Sequence, residues 1–378
     1  MELFAVSPPG IEALLQRELA ALGIKGRAVP GGVELQGDAA TIRRVNLESR
    51  LASRLLLRIG RFETEYLNEL EKLTAKLDVA PFLRADEPLA VRATCRKSRI
   101  YHSGAAEERV SRALAKKLGA DLTLAKADLD EDDAPPQTVL VRFDHDVCTL
   151  SLDTSGAHLH KRGYRLETAK APLRETLAAA VLAEAGYRGD EAFVDPLCGS
   201  GTFAIEAAMM ATRTAPGRLR RFAFERWPSH DAGAMRLLRA AADARRRPAP
   251  APIVASDRDE GAVGIARRNA ERAQVEIAVR HHALSDSQPP ASQGVLLTNP
   301  PYGVRVGNPA QLRDLYATIG KLASRQFAEW TFGFITTDER LAQASGLSVT
   351  RLGPPVPHGG LKIKLYLREA AAMPARGS

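Results

Sequence analysis

The chain has few cysteines and few aromatic residues, and it has no long apolar run. Its 378 residues include only three cysteines, Cys95, Cys148 and Cys198, which are odd in number and far apart. They offer neither a disulfide framework nor a Cys-x-x-Cys metal site, and a reducing compartment suits them best. No stretch approaches the roughly 18 apolar residues of a membrane helix, and residues 1–9 lack the features of a signal peptide. We therefore expect a cytoplasmic protein with no membrane partner.

Histidine is also scarce in arrangements that could bind a metal. His158 and His160, and likewise His281 and His282, have no cysteine or carboxylate nearby at ligand spacing. The sequence therefore predicts no metal site.

The chain carries an excess of positive charge. The formal net charge is +8 and the pI is near 9.5, mostly because of arginine, whose planar guanidinium suits phosphate groups. The segment 213–247 contains ten arginines and only three acidic residues. This segment is interpreted either as a solvated helical face or as a surface that contacts RNA.

The hydrophobic pattern predicts several folded parts, because the chain is too long for one average domain. Short strands and helices alternate in two α+β units, followed by a polar, turn-rich connection and then by strands that alternate regularly with helices. Such alternation predicts a mostly parallel sheet with helices on both faces. The predicted boundaries are 1–60, 61–155, a linker at 156–170, a larger α/β domain at 171–370 and a disordered tail at 371–378.

One motif predicts a nucleotide-like cofactor. A short apolar strand ends at Asp195, and Gly199-Ser200-Gly201 then forms a tight turn that leads into a helix beginning at Thr202. In dinucleotide-binding enzymes the ribose-binding carboxylate follows about 20 residues later. Here the next strand ends at Asp257, 58 residues after Gly199. This spacing disfavours NAD and suits the ribose of S-adenosylmethionine, although Asp257 could instead cap the following helix, a role open to Asp259 as well.

A second motif, Asn299-Pro300-Pro301-Tyr302, follows the apolar strand 295–298. The exocyclic amine of a base is a poor nucleophile, because its lone pair is delocalised into the ring. The Asn299 amide oxygen and the Pro300 carbonyl can each accept one of its N–H groups and so direct the lone pair toward a methyl donor. Tyr302 could stack on the extruded base, and Gly303 would leave room for it. The motif predicts methyl transfer to an amino group, although Asn-Pro-Pro is also an ordinary loop after a strand.

These motifs, with several further strings, resemble the THUMP-domain class I RNA methyltransferases. The chain is most similar to the bacterial 23S ribosomal RNA guanine-N2 methyltransferases, with the tRNA guanine-N2 methyltransferases as close cousins. The resemblance covers nearly the whole chain and rests most specifically on Leu3-Phe4-Ala5 with Gly10-Ile11-Glu12, on residues 49–54, on residues 159–165 and on residues 171–180.

The resemblance implies a ferredoxin-like unit, a THUMP RNA-binding domain and a Rossmann-like methyltransferase domain with a seven-stranded sheet. It implies that S-adenosylmethionine is the cofactor, structured RNA is the partner, and the target is the N2 atom of a guanine. The residues expected at the cofactor are Asp195, Pro196, Cys198, Gly199, Gly201, Thr202, Asp257 and Asn299. Those expected to act on or bind the base are Asn299, Pro300, Pro301, Tyr302 and Gly303.

The chain departs from the family pattern at one place. Relatives often have an acidic residue near the adenine after the third strand, where this chain has His281-His282-Ala283-Leu284, with Asp286 nearby. Three alternatives remain open: a tRNA guanine-N2 methyltransferase, a DNA adenine-N6 methyltransferase that shares Asn-Pro-Pro-Tyr, and a non-catalytic RNA-binding or assembly factor.

Overall fold

The structure is a computed structural model that describes residues 1–119, 123–125, 135–167, 173–302, 309–358 and 360–368. The predicted tail, Gly303 and residues 168–172 lie outside this described part. The chain folds into two compact units: the first contains residues 1–7, 15–161 and 220–240, and the second contains residues 8–14, 162–219 and 241–378. No helix in the described part of the chain is long and apolar enough to cross a bilayer.

The first unit is built on one seven-stranded sheet with the strand order β2-β3-β1-β4-β7-β6-β5. Its strands are β1 (Glu2–Val6), β2 (Gly26–Val29), β3 (Gly32–Gln36), β4 (Arg54–Glu63), β5 (Leu89–Arg96), β6 (Gln137–Asp144) and β7 (Val147–Asp153). The helices in this part of the chain are α1 (Glu12–Ala21), α2 (Ala39–Glu48), α3 (Leu67–Ala75) and α4 (Ser103–Leu118). All strand pairs are antiparallel except β5 with β6.

The two α+β segments predicted on either side of residue 60 share this sheet. Strand β4 spans that position and pairs with β1 on one side and with β7 on the other. A register shift between Arg58 and Gly60 accommodates its length. The short strand β2, which the sequence pattern did not predict, pairs with β3 at the edge of the sheet.

The second unit contains a sheet with the order β10-β9-β8-β11-β12-β14-β13. Its strands are β8 (Ala192–Asp195), β9 (Ile253–Asp257), β10 (Ala278–His281), β11 (Gly294–Thr298), β12 (Thr331–Thr336), β13 (Thr350–His358) and β14 (Leu361–Arg368). The helices in the remaining chain are α5 (Glu175–Glu184), α6 (Thr202–Ala211), α7 (Ala232–Ala244), α8 (Glu260–Ala273), α9 (Pro309–Arg325) and α10 (Glu339–Ala344).

Strands β8 to β12 are parallel, and β14 joins their edge antiparallel. The chain leaves β8 toward β9 on one side and returns to β11 on the other, so the order reverses between β8 and β11. Ligands in open α/β sheets bind at the carboxyl ends of strands flanking such a switch point. The predicted fold class, a mostly parallel Rossmann-like sheet preceded by a ferredoxin-like α+β unit, is confirmed.

The arginine-rich segment serves largely as internal structure. In the first unit, the Arg220 guanidinium donates to four backbone carbonyls, those of residues 155, 157, 158 and 161. Arg226 and Arg239 form ion pairs with Glu87 and Glu225. In the second unit, Arg218, Arg246 and Arg247 bind Asp243, Thr214 and Asp190, respectively. At least six of the ten arginines therefore bind protein groups, which favours the structural interpretation for most of this segment.

Candidate active site

The site lies at the carboxyl ends of β8, β9 and β11. Asp195 ends β8, is 2% exposed, and accepts hydrogen bonds at Oδ1 from the Thr298 hydroxyl (2.9 Å) and the Leu197 N–H (3.2 Å). The first of these bonds ties β8 to β11 across the switch point. Burial raises the pKa of Asp195 to about 7, against the opposing effect of these two donors, and the charge of Asp257 raises it further.

The loop after β8 brings backbone into the open end of the sheet. Gly199 and Gly201 both adopt positive φ, 51° and 84°, and Gly201 caps helix α6. A Cβ on Gly201 would lie 3.1 Å from the Ala266 Cβ, so glycine also allows close packing on helix α8. The Cys198 N–H donates to the Ser256 carbonyl (2.9 Å), which fixes the loop to β9.

Asp257 holds this loop from the neighbouring strand. Its Oδ2 accepts from the Gly199 N–H (3.0 Å) and its Oδ1 from the Asp259 N–H (3.0 Å). A carboxylate has about four acceptor positions, so both oxygens can still accept from a ligand hydroxyl. Asp259 is the N-cap of α8, accepting from the Gly261 and Ala262 N–H groups, and this leaves Asp257 available for the site.

The second motif lies beside this loop, directly after β11. Pro300 is buried, and Asn299, Pro301 and Tyr302 are partly exposed. The Asn299 Oδ1 atom is buried and accepts no hydrogen bond from any described residue. The Tyr302 ring packs against the apolar core that contains Tyr316, and burial raises its pKa, so its hydroxyl stays neutral. The structure thus places an unused buried acceptor next to a partly exposed aromatic ring.

Two polar residues that the sequence motifs did not reveal also shape the site. Asn269, fully buried on α8, donates from Nδ2 to the Ser200 carbonyl (3.1 Å) and so fixes the glycine turn. Thr298 supplies the hydroxyl that binds Asp195. A buried asparagine on the apolar face of a helix was the available signal for Asn269, since an apolar residue would be expected there.

The other predicted cofactor positions belong to the same loop. Pro196 connects Asp195 to the turn, and Thr202 is the first residue of α6. Burial raises the pKa of the Cys198 thiol well above its usual value, and the carboxylates of Asp195 and Asp257 raise it further, so the thiol stays protonated. His281 ends β10, and its exposed Nε2 lies 3.1 Å from the Arg258 carbonyl oxygen.

These residues fit a nucleoside cofactor. Gly199 and Gly201 let backbone approach a ligand without a side chain in between, and Asp257 offers acceptors for ribose hydroxyls from the adjacent strand. The Asn299 oxygen, which accepts no hydrogen bond from the described residues, follows the adjacent strand β11.

Comparison with known proteins agrees with this geometry. The sequence profile of the RMKL-like methyltransferase domain matches residues 162–353, and that of the RlmL ferredoxin-like domain matches residues 2–56. The protein slr0064 of Synechocystis, provisionally named an RNA methyltransferase, is 33% identical over 97% of this chain and 96% of its own length. The ribosomal RNA large subunit methyltransferase K/L of Syntrophotalea carbinolica is 37% identical over 93% of this chain. The chain spans about half, 51%, of the length of that relative.

A solved structure shows the same fold with a cofactor product bound. The crystal structure of SMU.472, provisionally described as a methyltransferase, contains S-adenosylhomocysteine and superposes with a TM-score of 0.87. It is 31% identical and covers 99% of both chains. The chain belongs to the RMKL-like methyltransferase family, and its cofactor is S-adenosylmethionine.

Proposed function

We propose that this protein transfers a methyl group to the exocyclic N2 of a guanine in RNA, with 23S ribosomal RNA as the favoured substrate. The buried, unpartnered Asn299 Oδ1 carries the proposal. A buried acceptor without a partner costs about 1–3 kcal/mol, and an amino group that donates to it would recover this cost. The K/L relative is named for the large subunit RNA, which supports the choice of ribosomal RNA.

Each predicted site residue has a role in this proposal. Bound S-adenosylmethionine supplies an electrophilic methyl group on a sulfonium. Asn299 Oδ1 and the Pro300 carbonyl accept the two N–H groups of the target amine and orient its lone pair, which compensates for its weak nucleophilicity. Tyr302 presents an aromatic face to a base removed from its stack, and Pro301 contacts the same base. Gly303, which lies outside the described residues, stays a predicted substrate position. The cofactor is held by Asp195, Pro196, Cys198, Gly199, Gly201, Thr202, Asp257 and Asn299.

The domain assignment is part of the same proposal. Residues 1–60 form the ferredoxin-like unit, 61–155 a THUMP RNA-binding domain, and 171–370 the methyltransferase domain after a linker at 156–170. The protein would then use its N-terminal half to bind structured RNA through shape and phosphate contacts.

The test is nucleoside mass spectrometry after incubation of the purified protein with labelled S-adenosylmethionine and, separately, unmodified 23S rRNA, tRNA and DNA. N2-methylguanosine in 23S rRNA alone is the expected result. N2-methylguanosine in tRNA alone would replace the favoured substrate with the cousin's, and N6-methyladenine in DNA would contradict the proposed chemistry. No label in any pool would favour a non-catalytic RNA-binding role.

Two variants separate chemistry from cofactor binding. Asn299→Ala should lose methylation while retaining most of the thermal shift with S-adenosylhomocysteine, since the other predicted cofactor positions, including the glycine loop and Asp257, are unchanged. Asp257→Ala should lose the thermal shift. In the parent, a ligand at 100 times its dissociation constant should raise the free energy of unfolding by about 2.7 kcal/mol. Full methylation by Asn299→Ala would remove the basis of the proposed mechanism.

A further inference from the structure

The sheet of the first unit has one covered face and one polar, partly open face. Alternate residues of its strands, such as Leu57, Val141 and Phe143, are buried. Arg142, which lies between Val141 and Phe143, points to the other face, as does Arg61, which shares its partner Thr149, and both arginines are exposed. This second face contains a concavity of about 1130 Å³ lined by residues of all seven strands, β1 to β7.

The register of the strands arranges the arginines of this face in rows. Arg61 on β4 pairs with Thr149 on β7, which pairs with Arg142 on β6, which pairs in turn with Thr94 on β5. Adjacent strands lie about 4.8 Å apart, so the backbones of Arg61 and Arg142 are separated by about 10 Å. The register shift in β4 keeps Arg61 aligned with Thr149, since one extra residue separates Arg58 from Gly60.

A second row of paired residues begins at Arg58 on β4. Arg58 pairs with Ser151 on β7, Ser151 with Leu140 on β6, and Leu140 with Arg92 on β5. Arg58 and Arg92 therefore lie on either side of β7 and β6. Arg96, two positions beyond Thr94 on β5, extends the same face.

The concavity is strongly basic. Five arginines line it against two carboxylates, and the arginines are Arg58, Arg61, Arg92, Arg96 and Arg142. The Glu34 carboxylate is occupied by Arg58 at 2.9 Å and Asp144 by Arg142 at 3.3 Å. Arg61 is exposed and forms no ion pair with any described residue. The lining therefore carries three more arginines than carboxylates, and Arg58 also forms an ion pair with Glu2 on the same face (2.5 Å).

The lining also indicates which part of a nucleic acid it would bind. Phe4 is the one benzenoid ring among the described lining residues; it is 8% exposed, and the Arg58 guanidinium covers it at 4.8 Å. Base recognition on an open sheet relies on exposed aromatic rings, which this face does not offer. Hydroxyls of Thr94 and Thr149 lie between the arginines and are suited to phosphate and ribose oxygens.

We propose that this open sheet face, the concavity lined by Arg58, Arg61, Arg92, Arg96 and Arg142, binds the sugar-phosphate backbone of the substrate RNA. The inference rests on the proposed function for the identity of the RNA. It assigns the backbone contacts to the strands of the first unit instead of the arginine-rich segment 213–247, most of whose guanidinium groups hold protein carbonyls and carboxylates.

The experiment compares two triple variants that remove the same charge. The first, Arg61→Gln/Arg96→Gln/Arg142→Gln, neutralises exposed arginines of the concavity. The matched control, Arg44→Gln/Arg221→Gln/Arg236→Gln, neutralises exposed arginines of the same unit that do not line it. Binding of in vitro transcribed, unmodified 23S rRNA is measured by filter binding over a KCl series. Methylation of the same RNA and the thermal shift with S-adenosylhomocysteine are measured in parallel.

The slope of log K against log salt concentration is negative, and each lost phosphate contact should reduce its magnitude by roughly 0.7–0.9. The concavity variant, which removes three arginines, should therefore have a slope smaller in magnitude by about 2–3, with RNA affinity at physiological salt lower by about tenfold or more. Its KM for RNA should rise in proportion, with kcat and the cofactor shift unchanged. The control should retain nearly the parental slope.

Equal losses in the two variants, or a parental slope in the concavity variant, would overturn the proposal, as would a parent that does not bind this RNA. The proposed function can fail independently. If the parent methylates no substrate while the concavity variant still loses slope and affinity, the binding face stands and the assigned chemistry falls.

Discussion

Asp195→Asn should remove the contribution of Asp195 to the pH dependence of the free energy of unfolding of the second unit. Burial raises the pKa of this carboxyl from 3.8 to about 7. The folded state therefore holds a proton that the unfolded chain releases at lower pH, so the free energy of unfolding falls as pH rises from about 4 to about 7. Three pKa units correspond to roughly 4 kcal/mol in total, of which about 2 kcal/mol is lost between pH 5 and pH 7. Asparagine cannot ionise and should abolish this loss.

The assay can be confined to the second unit. The chain has two tryptophans, Trp227 in the first unit and Trp330, 1% exposed, in the second. In a Trp227→Phe background, the fluorescence of Trp330 follows urea unfolding of the second unit. The free energy of unfolding is measured at pH 5, 6 and 7 without cofactor, for this background and for the same protein with Asp195→Asn.

The change in the free energy of unfolding between pH 5 and pH 7 must be compared between the two proteins, because burial also raises the pKa of Glu175 to about 7. Both proteins should show the Glu175 contribution, and only the one with Asp195 should show the additional 2 kcal/mol. Thr298→Val gives a control of opposite sign: it removes a donor that lowers the Asp195 pKa, so the loss of stability should extend further above pH 7. An unchanged pH slope in Asp195→Asn would refute the reasoning.

Two further predictions concern packing and buried charge in the second unit, and both are measured by urea unfolding. Gly320→Ala should lower the free energy of unfolding by about 1–3 kcal/mol or more, because a Cβ there would lie 1.8 Å from the Ser345 carbonyl oxygen. Gly264→Ala is the control: its Cβ would meet only the end of a flexible side chain, so it should raise the free energy of unfolding by up to about 1 kcal/mol. Equal effects of the two substitutions would contradict the packing argument. Arg162→Met should cost about 3–5 kcal/mol, because it leaves the fully buried Glu206 carboxylate without its cationic partner, and the double variant Arg162→Met/Glu206→Leu should recover much of this loss.

The strands of the second unit could be predicted well, because strands buried on both faces are nearly continuous apolar runs. Residues 295–298, for example, were expected as a strand and form most of β11. The edge strand β2 was missed for the opposite reason: its four residues, Gly26–Val29, are short, partly exposed and without alternation. The hydrogen bonds to β3 stabilise it, and its own sequence does not favour a strand.

The arginine-rich segment shows where residue counting fails. A charge count cannot distinguish a guanidinium that faces solvent from one that donates to backbone carbonyls, as Arg220 does to four of them. Those carbonyls come from residues 155–161, some 60 positions earlier, so nothing local in the sequence indicates them. The concave face has the opposite property: Arg61, Arg96 and Arg142 are dispersed along the chain and converge only through strand register.

Asp257 illustrates the same difficulty within the site. Its position at the end of β9 predicts a ribose ligand, and in the structure its two oxygens also accept from the Gly199 and Asp259 N–H groups. A substitution there would remove a ligand acceptor and release the glycine loop at the same time, so loss of cofactor binding in Asp257→Ala has two physical causes. Asp257→Asn distinguishes them: its single amide oxygen can keep the Gly199 bond but cannot replace both carboxylate acceptors. If this variant retains the loop yet binds the cofactor weakly, direct contact with the ribose is the dominant cause.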